Sequence, residues 1–512
     1  RGHLTLRYTH RGAAPLDALQ FLLYPNTPEL TEAGALNLAV HDVVVDGEPR
    51  PAELQRERLR VPLAAPLEPG AELTLDLDFD GVIFRLPRGA ADLEKAALKQ
   101  LLGLVLGEDD GKGGYGVFSV GDGIVSLALW YPILAAHDGA GWDTEPGGPV
   151  GDVSFFEPAH YEVVLRTAPG LQVASTGVRT AHVVDGDQAV HTFRATGVRE
   201  FALQLSAGYS MAARTVDGVL VRSWFLDTDR EAGERVLDHA CKALQTFGRL
   251  YGPYPYPELD LAASPLIGGA GGVEFPSLVT IARMFYGGRV QGLPVALPDS
   301  PFLRDTLEFV VAHEVAHQWW NAVVGSDSKR HPFVDEALAN HAAVVYFEQV
   351  HGRAAADRQR ALQLTLNYQL ARLTGSPDLP VDRPTRDFDD ALSYAATVYA
   401  KGGLFFDALR AQVGPARFDA ALRQYYADFA FRVASPDDLI GAIAKTSDDP
   451  AAVRALARRW LHEAHGDADI AGLDVGQVLG LVLGEAGPDA LRSLGLDPRL
   501  IEVLQHRGAA EL

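Results

Sequence analysis

The chain has 512 residues, 47% of them apolar and 22% charged, enough apolar surface for two or three folded domains. These proportions exclude a disordered or collagen-like chain, and no run of 18 uninterrupted apolar residues offers a transmembrane helix or stable membrane insertion. With 45 Lys and Arg against 67 Asp and Glu the net charge is −22, which argues against a nucleic-acid partner, and the lone Cys241 excludes an intramolecular disulfide and a cysteine metal cage.

Residues 1–212 predict an antiparallel β domain. Apolar and polar residues alternate over His3 to Tyr8, Leu19 to Tyr24, Leu36 to Val45 and Glu72 to Phe79, with turn signals at Asp46-Gly47 and Pro69-Gly70. Further strands are expected over Tyr161 to Arg166 and Ala189 to Phe193, with Asp185-Gly186 as a hairpin turn. The stretches from Gly107 to Tyr115 and over 138–150 read as surface loops. The pattern changes near residue 213. A strand from Val219 to Phe225 precedes helical periodicity from Glu231 to Tyr251, and the prolines at 253, 255 and 257 then exclude helix. Short strands are expected at Leu259 to Ala262 and Val279 to Ala282, and mostly helix beyond residue 300. The heptamer LGLVLGE occurs at 102–108 and again at 479–485. The domain division is therefore 1–212, 213–466 and a helical tail over 467–512.

The segment from Ser300 to Val350 carries the chemistry. Ser300-Pro301 is a helix-start signal and Gly325 a stop signal. Leu307, Val310, Val311, Val315 and Trp319 cover nearly the whole circumference, so the helix is buried. It nevertheless carries His313-Glu314-Val315-Ala316-His317, the H-E-x-x-H pattern. Four residues apart, the two imidazoles share a face and can bind one metal ion, while Glu314 lies about 100° round the helix, beside the metal but outside the ligand set. A carboxylate there can take a proton from an attacking water. An open tetrahedral site needs a third ligand. Glu336 lies 19 residues after His317, at the start of a second helix expected over Phe333 to Val350. A turn from Gly325 to Pro332 would bring it back beside His317. His331 reads as solvent-facing, His341 as off the ligand face, and Trp319 and Trp320 as core.

The H-E-x-x-H motif, eighteen further residues and then Glu is the gluzincin arrangement. The wording from His313 to Trp320, followed by Asp335-Glu336-Ala337-Leu338-Ala339, resembles the aminopeptidase N and leukotriene-hydrolase family. Gly248 to Leu261, Trp130-Tyr131-Pro132 and Ala174-Ser175-Thr176-Gly177 match other family segments in order, so the likeness spans roughly residues 1–465. It implies a multidomain α+β chain with an N-terminal β saddle and a thermolysin-like catalytic domain, in a minimal form without the family's large C-terminal helical domain. It also implies one Zn2+ per chain. Gly271-Gly272-Val273-Glu274-Phe275 resembles the family's Gly-Ala-Met-Glu-Asn segment, whose Glu holds the free α-amine of a peptide, and Glu274 would take that role. Phe275 replaces the family's Asn, which removes a hydrogen bond and makes the pocket more apolar. Tyr399-Ala400-Lys401-Gly402 resembles the segment whose Tyr stabilises the tetrahedral intermediate. Tyr394 is a weaker neighbour candidate, and Lys401 reads as structural.

The expectation is a zinc aminopeptidase acting on peptides with a free N-terminus. Two readings remain open beside it: an endopeptidase or small-substrate hydrolase on the same site, and a catalytically dead binding protein. The chain begins with Arg1 rather than Met, and an extracytoplasmic, envelope-associated location is favoured over a cytoplasmic one. Oligomeric state is not legible.

Overall fold

The computed structural model describes residues 1–28, 30–31, 35–86, 114–138, 141–145, 147–286, 301–474, 477–478 and 481. Ser300, most of the Gly107 to Tyr115 loop, the first LGLVLGE copy and all but Leu481 of the second lie outside the described residues, as does most of the expected tail.

The alternating segments near the N-terminus form strands because one face of each is apolar. Strand Gly2–Thr9 pairs antiparallel with Glu72–Gly81, in the register Leu4 to Leu77 and Leu6 to Leu75. Leu73, Leu75, Leu77 and Phe79 are buried, while Thr74, Asp76 and Asp78 point outward. Among the described residues up to 206, the expected single β body divides into four sheets, antiparallel except where Phe84–Arg85 runs parallel to Phe118–Gly121. In the hairpin of Val178–Asp185 and Gln188–Val198, Asp185 pairs with Gln188, so the turn is Gly186-Asp187, one position later than expected.

A five-stranded mixed sheet follows. Its order is Tyr209–Val216, Val219–Leu226, Glu258–Ser264, Leu278–Ala282 and Gly272–Phe275, with the last as an edge strand. The expected division after residue 212 falls inside its first strand. Helix α1 (Arg230–Tyr251) links the parallel pair Val219–Leu226 and Glu258–Ser264. It buries Val236, Ala240, Ala243, Leu244, Phe247 and Tyr251, the three-and-four spacing that predicts it. Cys241 is buried on this helix.

Helix α2 (Pro301–Ala316) carries His313, with His317 in the turn directly after it, and helix α3 (Glu336–His351) carries Glu336. Helix α2 stops nine residues before the expected Gly325. The Trp320 carbonyl turns back to accept from Nδ1 of His317 at 3.0 Å, and Asn321 adopts φ 134°, which helix cannot accommodate. Phe333 and Val334 lie in a 3-10 turn before α3, and Asp335 caps that helix by accepting from the Glu336 amide. Trp319 and Trp320 are fully buried, with Trp319 against Phe247 at 5.7 Å and Trp320 against Tyr251 at 4.9 Å. Each large side chain so buried contributes ~1.5–3 kcal/mol, which fixes the end of α2 against α1. The upper part of α2 is tied by Glu308, which accepts from Tyr346 at 2.7 Å and pairs with His351 at 2.8 Å and His239 at 3.2 Å. Burial raises the Glu308 carboxyl, but these partners outweigh it and hold it down at about 2.

Candidate metal centre

The i, i+4 spacing on α2 brings the Nε2 atoms of His313 and His317 to 3.1 Å from each other. Oε2 of Glu336 lies 3.3 Å from the first and 3.2 Å from the second. All three residues are buried. The His317 bond to the Trp320 carbonyl places its proton on Nδ1 and leaves the Nε2 lone pair facing the other two atoms. Three acceptors thus converge on one buried point, a costly arrangement unless a cation joins them. A tetrahedral ion with bonds of about 2.0–2.1 Å holds its ligand atoms about 3.3 Å apart, which matches this triangle. The donor set of two imidazoles and one carboxylate fits zinc.

Glu314 stands outside that triangle. It is buried, and its Oε2 has no hydrogen-bond partner. Burial, followed by the charge of Glu274, holds its carboxyl well above the usual range. The edge strand passes directly over it at Gly272, where a Cβ would lie 2.5 Å from Cγ and Oε1 of Glu314. At Gly271 a Cβ would meet Val310 at 3.1 Å. The Gly-Gly pair therefore lets the strand approach α2 without displacing the carboxylate.

Alternation along the same strand puts Glu274 on the face of Gly272. Oε1 of Glu274 accepts from Nδ2 of Asn321 at 2.7 Å and lies 3.5 Å from Nδ1 of His317. Burial pushes the Glu274 carboxyl up to about 7, with His317 opposing. Phe275 faces the other way, into an apolar cluster with Trp224, Ala262 and Leu278. Its ring is core, which corrects the expectation that it makes the pocket more apolar. Gln318 holds the turn after it, accepting from the Ser277 amide at 2.8 Å and donating to the Phe275 carbonyl at 3.0 Å.

Tyr399 lies in a π-helical turn, Ala395–Lys401, with its ring 5.8 Å from that of His313. Asn340, one turn beyond Glu336 on α3, donates to the Tyr399 carbonyl at 3.0 Å and so couples the two. Burial, then the charge of Glu336, pushes the Tyr399 phenol well above its ordinary range, so it keeps its proton. Tyr394 packs on Tyr399, with ring centroids 5.6 Å apart. Lys401 is buried against Asp378 at 2.6 Å, the structural role expected. His341 is buried and pairs with Asp407 at 2.7 Å, off the ligand face. His331 is not simply solvent-facing: its Nδ1 meets Asp382 at 2.7 Å.

Sequence reasoning missed four further residues: Arg199, Asn321, Asp152 and Glu200. Arg199 is buried and bonds only to carbonyls, those of Asn321 (2.8 Å), Phe156 (2.8 Å), Val323 (3.2 Å) and Arg432 (2.7 Å). Burial lowers it to about 10, so it stays cationic. A Cβ at Gly325 would lie 2.2 Å from its Cζ, so this glycine makes room for a guanidinium rather than ending a helix. Asp152 and Glu200 each keep a buried oxygen without a partner. Burial, then the charge of Glu274, raises Asp152 to about 7. Only Asn321 carried a local signal, its place four residues after the second histidine.

A mixed sheet with an acidic edge strand, a buried two-histidine helix and a following helix with the third acceptor define the gluzincin class of zinc metallopeptidases. Residues 235–460 match the Peptidase family M1 domain. The chain is similar to rice (Oryza sativa subsp. japonica) aminopeptidase M1-B, 28% identical over 247 residues, which is 48% of this chain and 27% of that one. Human (Homo sapiens) aminopeptidase B is 26% identical over 254 residues, 48% of this chain and 36% of the relative. The chain thus spans about a quarter to a third of the length of these relatives. In fold it is similar to an M1 zinc metallopeptidase from Deinococcus radiodurans, with TM-score 0.60, 18% identity and coverage of 92% and 91%. Residues 235–460 thus carry the likeness to the Peptidase family M1 domain, and the solved structure shares the fold.

Proposed function

We propose that the protein is a zinc-dependent aminopeptidase that releases N-terminal residues from peptides, with His313, His317 and Glu336 as the metal ligands. The observation that carries this reading is the distance of 3.5 Å between Oε1 of Glu274 and the ring of His317. The ring nitrogen in this contact, Nδ1, is one ring width from the metal-facing Nε2, so an ammonium held by Glu274 leaves room for about one extended residue, ~3.3–3.6 Å, before the metal. Only the first peptide bond then reaches it. When bound, zinc would acidify water and polarise the scissile carbonyl. Glu314 accepts a proton from the attacking water and passes it to the leaving amine. Its raised carboxyl favours the protonated form that donates to the leaving amine. Tyr399, kept protonated, donates to the developing oxyanion. At the entry to the edge strand, Gly271 and Gly272 allow substrate and base to share one narrow space. The three-domain division, 1–212, 213–466 and 467–512, remains part of this proposal. No helix among the described residues is long and apolar enough to cross a membrane.

A panel of amino-acyl fluorogenic amides tests the reading. Hydrolysis is expected from free-amine substrates, to be abolished by a chelator and restored by zinc. Equal cleavage of N-blocked substrates would favour an endopeptidase, and no cleavage of any substrate by zinc-loaded protein would favour a binding role.

Gly272→Ala is expected to lower kcat by about tenfold or more, since the added methyl overlaps the Glu314 carboxylate. Zinc content should be unchanged, because the ligand triangle lies on other elements. A kcat equal to wild type would mean that Glu314 does not need the position seen beneath this strand.

A further inference from the structure

We infer that Asn321 and Arg199 are positioning residues for Glu274, so that amine recognition is set from the β-rich N-terminal half of the chain. The inference rests on the amine-anchor reading of Glu274. Nδ2 of Asn321 donates to Oε1 of Glu274 at 2.7 Å. This bond occupies one carboxylate oxygen and leaves the other for a ligand. Asn321 holds φ 134°, a conformation an L residue adopts only under constraint. Arg199 supplies that constraint. Its Nε donates to the Asn321 carbonyl at 2.8 Å and its Nη2 to that of Val323 at 3.2 Å. The same guanidinium reaches Phe156 at 2.8 Å and Arg432 at 2.7 Å, so it joins three separate segments around one turn. None of these bonds goes to a carboxylate. A buried cation spent wholly on carbonyls is costly to desolvate, and five rigid donors suit holding a loop rather than neutralising a charge. Gly325 clears the space it occupies. The chain of contacts therefore runs from Arg199 through the Asn321 backbone and amide to the Glu274 carboxylate.

The test uses the zinc-loaded Glu314→Gln protein, in which binding is read without turnover. Trialanine and N-acetyl-trialanine are titrated into it by calorimetry. The parent is expected to bind the free amine about tenfold or more tightly than the acetylated peptide, as a charge-assisted bond requires. Adding Asn321→Gly should shrink that ratio to about twofold or less, chiefly through weaker binding of the free amine. Glycine accepts the φ of this position, so the variant removes the amide without adding backbone strain. Zinc stoichiometry and Tm should stay near those of the parent, which a merely structural role would not predict. Arg199→Lys, which keeps the charge but not the fork, should give an intermediate ratio. An unchanged ratio in Asn321→Gly would overturn the inference while leaving the anchor reading intact. Equal binding of both peptides by the parent would overturn the anchor reading, and the inference with it.

Discussion

Glu314→Gln is expected to lower kcat by about 10²- to 10⁴-fold, the range attributable to a positioned proton acceptor, with zinc content at the wild-type level. The two outcomes separate because the residue touches none of the ligand atoms. His313, His317 and Glu336 form their triangle within 3.1–3.3 Å by themselves. Glutamine has the shape of glutamate, so it fits under Gly272 where a bulkier change would push the edge strand away. What it removes is the capacity to accept a proton at an oxygen that is buried and uncommitted in the resting protein. Elemental analysis beside steady-state kinetics makes the comparison, with His317→Ala as the contrasting variant that should lose metal and activity together. Turnover within a few-fold of wild type would exclude Glu314 as the base.

The grouping of His313, His317 and Glu336 was legible in the sequence where it depends on local geometry. An i, i+4 histidine pair needs only helix, and apolar residues on all sides of α2 announce that the helix is buried. Glu336 was legible because a short turn returns the chain, although α3 starts at Glu336 itself rather than at Phe333. The positions of Glu274 and Tyr399 were accessible through family resemblance, since no period or spacing places an edge strand or a π-helical turn beside a metal site. Two misreadings share one cause. Gly325 reads as a helix stop, and Phe275 as a pocket wall, when each is judged from its immediate neighbours. Gly325 answers to Arg199, a guanidinium from 126 positions earlier in the chain (325 − 199). Phe275 answers to the apolar cluster behind the sheet. Arg199 itself has no sequence signal: its hydrogen bonds span 43 to 233 residues and end on carbonyls, which every residue possesses. Long-range contacts to backbone are thus where local reading stops, and here they hold the Asn321 turn that bonds Glu274.

Glu274→Ala should separate recognition from chemistry. The expected result is a rise in KM for free-amine substrates and loss of most of their advantage over N-acetylated ones, with zinc retained. A hydrogen bond to a charged group is worth about 1.5–3 kcal/mol, so the lost discrimination should be about ten- to a hundredfold in kcat/KM. Burial favours the upper part of that range, since an ammonium held by Glu274 would sit away from bulk water. The charge matters as well as the contact. Glu274, Glu314 and Glu336 crowd one buried space, and each raises the cost of ionising another. Removing Glu274 relieves that repulsion at Glu314 and should lower its carboxyl toward the ordinary range. The acid limb of the kcat profile should accordingly move to lower pH in the variant, because Glu314 then reaches its proton-accepting form at lower pH. A purely steric role for Glu274 would change KM and leave that limb in place. Glu274→Gln sharpens the comparison: it keeps the hydrogen-bonding shape toward the substrate, removes the charge, and should show the same shift of the limb. Preserved discrimination against N-acetylated substrates in both variants would remove the amine anchor, and with it the reason to read the protein as an exopeptidase.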